Sequence, residues 1–351
     1  MNSRIEAIWR RNLRRGLITG GLETAGILAR AGVLPEARGR GAIFTLHHVR
    51  PAEARPSAPN AHLEVTPDFL EAAILRLKEE GYDFVRLEDV PRRLFEPQEK
   101  PFACFTLDDG YRDNLDHALP VFERQGVPFM VFINEGFADR THTIWWETLA
   151  DLLNGCERLR FDFGTGEEEL DLSTGTARLD AFDRFARFIE RDCEAQAVSA
   201  LDALARRHGI QPLEITRRLT MGRDDLTRLA RHPLASLGAH TVSHRALRRL
   251  TDAEALQEMR RSADWLENLT GRRPRAIAYP YGTQATVSER EQELARRLGF
   301  DIAVTTQPGT VCERDAGRLT ALPRISLNGY YQEPRYVAAL ASGIPFAMGA
   351  G

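Results

Sequence analysis

The sequence predicts an α/β fold: a (β/α) barrel of seven or eight units interrupted by a helical insertion. Three observations predict it. Short apolar runs that read as buried strands alternate with helical patterns, as in a parallel sheet. Seven or eight such units suggest a closed barrel rather than an open sheet. Between residues 139 and 235 the rhythm breaks, with helical patterns and little strand signal.

The chain has 351 residues, 43% hydrophobic and 28% charged, which suits a folded protein and not a disordered regulator. Lys+Arg 47 against Asp+Glu 50 gives a net charge of −3. A whole-protein nucleic-acid binder would be more basic, so no nucleic-acid partner is expected. The four cysteines, Cys104, Cys156, Cys193 and Cys312, are far apart and form no CxxC pair. That argues against a disulfide framework or a cysteine zinc site and for reduced thiols in the cytoplasm.

Residues 1–40 carry eight arginines and three glutamates and read as a basic helical arm. Glu23 and Arg30 interrupt the apolar stretch Gly16–Leu34, so neither a membrane-spanning helix nor a signal peptide is expected. One or two basic amphipathic helices packed on the domain are expected, with peripheral contact to an anionic membrane as the alternative. The barrel domain is expected over residues 41–351. Its predicted strands are Ala42–His48, Phe102–Leu107, Pro128–Ile133, Leu234–Ala239, Ala276–Tyr279 and Ile302–Thr305, with Val85 and Leu319–Leu322 as two further candidates.

Helices are predicted between the strands. Pro67–Gly81 follows Thr66 as N-cap and repeats Phe69, Ala73 and Leu77 at spacing four. Asp252–Gly271 follows Thr251, has Glu254 for a capping box and stops at glycine, and Ser288–Gly299 repeats that plan. Within the insertion, Asp180–Glu194 places Phe182, Phe185, Phe188 and Ile189 on one face, and Gln196–His208 and Asp224–Arg231 are similar. Removing the arm and the insertion leaves roughly 214 residues, near the lower end for such a barrel.

Three strand ends carry chemistry. Phe105–Leu107 runs into Asp108-Asp109-Gly110, and parallel α/β folds place active sites at strand ends. Adjacent side chains on an extended chain diverge, so the two aspartates can take different roles, although Asp-Asp-Gly alone reads first as a turn or helix cap. Gly238-Ala239 runs into His240-Thr241-Val242-Ser243-His244, with the histidines at i and i+4, where a helical turn would put both on one metal. Asp with two His and open positions is the form of a catalytic zinc site. Ala276–Ala278 runs into Tyr279-Pro280-Tyr281-Gly282, a forced turn whose N–H groups, that of Tyr281 among them, can point into a site.

In this order the three strand ends resemble the polysaccharide deacetylases, the NodB-homology family (carbohydrate esterase family 4). Thr106–Gly110 resembles its TFDDG motif, His240–His244 its H[ST]xxH motif, and Ala278–Gly282 its RxPYG motif. The resemblance covers about residues 42–137 and 234–328. It implies a distorted barrel of the glycoside hydrolase/deacetylase type that hydrolyses N-acetyl groups. Carried over, Asp109, His240 and His244 would hold Zn²⁺ or another divalent transition metal. Asp108 would be the general base, and the Tyr281 N–H would hold the oxyanion.

Two departures stand out. Ala278 occupies the place of the third motif's arginine, and Arg324 is the candidate replacement. No histidine follows His244, so the C-terminal LxH of the family is missing. Leu46-His47-His48-Val49 resembles the permuted branch that carries this motif at the N-terminus. His48 is then the expected general acid, with His47 as the alternative. Asp113 and Asn114 are expected to orient the loop. Trp145 and Trp146 are weaker candidates to stack on sugars, with His142 and Glu147 lining the same cleft.

The expected substrate is an N-acetylglucosamine-containing oligo- or polysaccharide, such as a chitooligosaccharide or an envelope precursor, deacetylated in the cytoplasm or at the inner-membrane periphery. The alternatives are hydrolysis of an N-formyl or cyclic amide bond and a silent glycan-binding module. A glycosidase would need two carboxylates flanking a sugar bond, which adjacent Asp108 and Asp109 do not provide. Oligomeric state is not readable from the sequence.

Overall fold

A computed structural model describes residues 2–96, 99–191 and 193–348. The outer ends of the expected arm and barrel, Met1 and residues 349–351, lie outside the described residues. Seven strands form the barrel: β1 (Gly41–Leu46), β2 (Phe102–Leu107), β3 (Phe129–Ile133), β4 (Ala235–Ala239), β5 (Ala276–Ala278), β6 (Ile302–Pro308) and β7 (Leu322–Ser326). All pair in parallel in chain order, and β1 closes the ring by pairing with both β2 and β7. β1, β2 and β3 are buried along their whole length, as strands covered on both faces must be.

The period of two along each strand divides the core. Ile43, Cys104, Met130, Phe132, Ile302, Val304 and Leu322 fill the barrel interior. Phe44, Phe105, Phe129, Val131 and Ile325 belong to the layer under the helices. Each fully buried large apolar side chain contributes about 1.5–3 kcal/mol. The inward parity continues to the C-terminal end of the strands, where Thr106 and Asp108 follow Cys104, and Arg324 follows Leu322. The top of the barrel interior is therefore polar.

Four expectations are corrected. The first strand stops at Leu46; His48–Val49 instead pairs with Glu64–Val65. The Val85 candidate is a two-residue strand, Asp83–Phe84, that adds to the start of β2 outside the ring. The Leu319–Leu322 candidate is a 3₁₀ turn to Ala321, and the strand runs on through Pro323. Proline donates no hydrogen bond, and the β6–β7 register shifts there, which is how a breaker is accommodated. The insertion also contains an antiparallel hairpin, Arg158–Asp162 with Glu167–Asp171. The consecutive charges Glu167-Glu168-Glu169 hid the second of these strands.

The helical readings hold where a cap was legible. Pro67–Glu79 begins with Thr66 Oγ1 accepting the Phe69 N–H at 3.2 Å. Asp252–Thr270 has the Thr251–Glu254 capping box and ends on Gly271 at φ 73°. Between β3 and β4 the helices Trp145–Gly155, Gly175–Ile189 and Glu194–Arg207 build a second apolar core around Phe161, Phe182, Phe185 and Leu201. The N-terminal segment is one helix, Asn2–Arg30, seated through Ala25 against Ala339 and Ile344. Among the described residues, no helix is long and apolar enough to cross a membrane.

Candidate active site

The candidate residues meet at the C-terminal end of the barrel. Among the described residues, six non-glycine residues have positive φ, and four of them sit here: Asp109, Thr241, His244 and Tyr281. Such backbone is costly for side-chain-bearing residues and persists only where the surroundings enforce it.

β2 delivers the two aspartates differently. Asp108 keeps the inward parity, buried in the barrel at 2% exposure. Asp109 leaves it through φ 71°, which turns its carboxylate toward the two histidines. Its Oδ1 lies 3.4 Å from His240 Nε2 and 3.3 Å from His244 Nε2. The potential ligand atoms of these three residues all lie within 4.8 Å of one another. Asp109 Oδ1 is buried without a hydrogen-bond partner. The His240 Nδ1 edge meets the Ala278 carbonyl at 2.7 Å, so Nδ1 donates and the Nε2 lone pair is free for a cation. One orphaned carboxylate oxygen and two imidazole nitrogens fit a divalent transition metal.

The histidine loop is not the helical turn that the i, i+4 spacing suggested. Thr241 and His244 are left-handed, and the turn between them is closed from outside. Glu258, on the helix Asp252–Thr270, accepts from Val242 N (2.9 Å), Ser243 N (2.8 Å) and Ser243 Oγ (2.6 Å). Asn134 Nδ2 donates to the His240 and Thr241 carbonyls. No local sequence signal marks Glu258, because its partners Val242 and Ser243 lie 16 and 15 residues earlier, in the loop ahead of its helix.

Arg324 lies fully inside the barrel. Its Nη1 donates to Asp108 Oδ1 at 2.8 Å and its Nη2 to Asp108 Oδ2 at 2.6 Å. Nη1 also reaches Thr106 Oγ1, and Nε donates to the Thr305 carbonyl at 2.8 Å. Burial pushes the Asp108 carboxyl up, but the Arg324 charge and hydrogen bonds outweigh it and hold it below the usual range.

Tyr281 has φ 61°, with the Gly282 N–H donating to the Pro280 carbonyl at 2.7 Å. This tight turn fixes the peptide plane that carries the Tyr281 N–H. Gly282, at φ 62°, packs so closely that a Cβ would stand 2.5 Å from Thr306 N. The Tyr281 hydroxyl donates to Glu194 Oε1 at 2.7 Å and accepts from Trp145 Nε1 at 3.0 Å.

His48 is wholly buried, its Nδ1 2.5 Å from Asp113 Oδ2 and its ring stacked on Tyr111 at 3.5 Å. Asp113 Oδ1 accepts the Val49 N–H, and Asn114 Nδ2 donates to the His47 carbonyl, so both residues after the first motif fasten the His47-His48 pair. Burial disfavours the His48 cation, but Asp113, with Glu147 assisting, raises it to about 9. Burial lowers His47, which feels the charges of Asp109, Asp108 and Arg324.

Trp145 and Trp146 are buried and bond Tyr281 and Tyr111, so they wall the site and are not free platforms for sugar. An aromatic pair at a helix start does not reveal that role in sequence. A cleft of about 390 Å³ opens beside His244, lined by Trp145, Trp146, His142, Glu194 and Arg245. His142 and the tryptophans thus share one cleft, while Glu147 points to the opposite side of the helix, beside Asn60.

Known proteins are similar to this chain in sequence and in fold. The model of the polysaccharide deacetylase family matches residues 199–303. "Putative polysaccharide deacetylase YxkH" of Bacillus subtilis (strain 168) is 30% identical over 105 residues, which is 30% of this chain and 36% of that protein's length. Among solved structures, Streptococcus pyogenes deacetylase PplD in complex with acetate superposes with a TM-score of 0.54 at 19% identity, over 82% of this chain and 92% of that one. IcaB from Ammonifex degensii does so with a TM-score of 0.53 at 15% identity, over 87% and 97%. The family model and the sequence relative are similar to part of this chain, and the solved structures show that it has the same barrel fold.

Proposed function

We propose that this chain is a metal-dependent deacetylase of N-acetylglucosamine-containing oligo- or polysaccharides. The observation that carries the reading is the buried, unpartnered Asp109 Oδ1 facing the Nε2 atoms of His240 and His244, next to the Arg324–Asp108 pair. Asp109, His240 and His244 would hold the cation, zinc by their donor set. Bound there, it would acidify water and polarise the acetamide carbonyl.

The chain's own groups do the rest. Asp108, kept ionised by Arg324, takes a proton from water as its oxygen attacks the acetamide carbon. The Tyr281 N–H donates to the carbonyl oxygen as charge builds there. The C–N bond then breaks, and His48 donates its proton to the departing sugar nitrogen. The products are acetate and a free amino sugar. His47, beside the aspartates, is the alternative donor.

The test is acetate release from purified protein incubated with chitooligosaccharides and with poly-N-acetylglucosamine. Acetate formed by wild type and lost in Asp108→Asn supports the reading. No acetate from any N-acetylated glycan, with zinc bound, would overturn it.

A further inference from the structure

We propose that Glu147, which the insertion supplies, is a positioning residue for His48: with Asp113 it clamps the imidazole between two carboxylates and keeps a proton on the nitrogen that the reaction uses. This rests on the deacetylase reading with His48 as acid, and adds to it a group from outside the three motifs.

The geometry is asymmetric. On one edge of the ring, Asp113 Oδ2 is 2.5 Å from Nδ1. On the other, Glu147 Oε1 is 3.7 Å from Nε2, beyond a direct hydrogen bond, and Nε2 is buried without another partner. The Glu147 rotamer is set, because Asn60 Nδ2 donates to Glu147 Oε1 at 2.8 Å while also holding the Trp146 carbonyl at 3.0 Å. Glu147 is only 6% exposed and His48 is not exposed at all. The Tyr111 ring covers one face of the imidazole.

A neutral imidazole has one N–H and one lone pair. Here a lone pair on either nitrogen would face a carboxylate, so both edges favour N–H. The charged groups around the ring are Asp113 and Glu147, with Arg50 and Glu64 acting on Glu147 from farther out. Arg50 faces both Glu147 and Asp113, and Glu64, 2.8 Å from it, opposes its charge. The elevation of His48 to about 9 agrees with two carboxylates outweighing burial.

The two contacts divide the work. The short one to Asp113 orients the ring, and the long one leaves the Nε2 proton free to go. In the step, the Nε2–H bond breaks and an N–H bond forms on the departing amine. The ring is left neutral, with its Nδ1–H still on Asp113, and takes a proton back from solvent after product leaves. Docking of the insertion would thus determine whether the barrel's acid is charged.

The experiment is a pH titration of the 351-residue chain labelled on histidine, followed by NMR, with His48→Gln to assign the resonance. Wild type is expected to titrate near 9 and Glu147→Gln at least tenfold more acidic. Asn60→Ala, which frees Glu147 without removing it, is expected to fall between them and covers the case in which Glu147→Gln does not fold. The alkaline limb of acetate release should move down with the titration. A His48 titration unchanged in folded Glu147→Gln and Asn60→Ala overturns the proposal, as does a uniform loss of rate at every pH. If His48 shifts as expected but wild type releases no acetate, the deacetylase reading fails and not the clamp.

Discussion

Arg324 and Asp108 are joined by two parallel hydrogen bonds of 2.8 and 2.6 Å inside the barrel, although 216 positions separate them in the chain. The arginine enters from β7 at the level where β2 ends. In the proposed reading it takes the part of the motif arginine that Ala278 does not provide on β5. A planar fork meets a carboxylate at two points, and a lysine ammonium cannot.

Arg324→Ala leaves Asp108 buried and unpaired, so it should destabilise the fold by about 3–5 kcal/mol. Denaturant unfolding checks that figure. Arg324→Lys keeps the charge but not the fork, and should lose about 10²-fold or more in acetate release while staying folded. Because Arg324 holds Asp108 below the usual range, the stability from this pair is present above about pH 4 and is lost as pH falls below it.

Asp108→Asn and His240→Ala should separate catalysis from metal binding. The first should lower turnover by about 10³-fold or more and leave about one metal per chain. The second should lose the metal as well. Elemental analysis of the purified proteins distinguishes them, and an Asp108→Asn protein with full activity would remove Asp108 as base.

Glu258→Ala should weaken metal binding without touching a ligand. Three donors of the histidine loop converge on this carboxylate, and without it Val242 N and Ser243 N lose their acceptor. Loss of such outer support typically costs about 10–100-fold in metal affinity. Competition with a chromophoric chelator measures it, and unchanged affinity would show that the loop holds its left-handed turns alone.

His48 should leave its own mark on the pH dependence of stability. Its folded value, raised to about 9, exceeds its ordinary 6.5. The favourable contribution is therefore complete below about pH 6.5 and disappears as pH rises through 9. The difference corresponds to something on the order of 3 kcal/mol. Thermal melts of wild type between pH 6 and 10 should fall across that window, and His48→Gln should flatten the curve.

The parts of the site legible in sequence are those that a strand end carries by itself. Asp108-Asp109-Gly110, His240-Thr241-Val242-Ser243-His244 and Pro280-Tyr281-Gly282 each follow a short apolar run, and each lies where such a run predicts. Asp113 and Asn114 were readable as loop-orienting residues because they follow the first motif. Glu258 and Glu194 were not, because each acts on a segment remote in sequence. The hairpin in the insertion escaped because the consecutive Glu167-Glu168-Glu169 looked like a solvated loop.

By itself the sequence determined the alternation of strands and helices, the caps that start the helices, and the divergence of the adjacent Asp108 and Asp109 at a strand end. These are local properties, set by periodicity and by backbone preference within a few residues. Only the tertiary structure decided which strand ends adjoin. Closure of β1 on both β2 and β7 places Arg324 against Asp108. Docking of the insertion sets Trp145 on Tyr281, Trp146 on Tyr111 and Glu147 beside His48. The reason is physical: a side chain's direction follows from its own backbone, but its partner depends on how the whole chain closes.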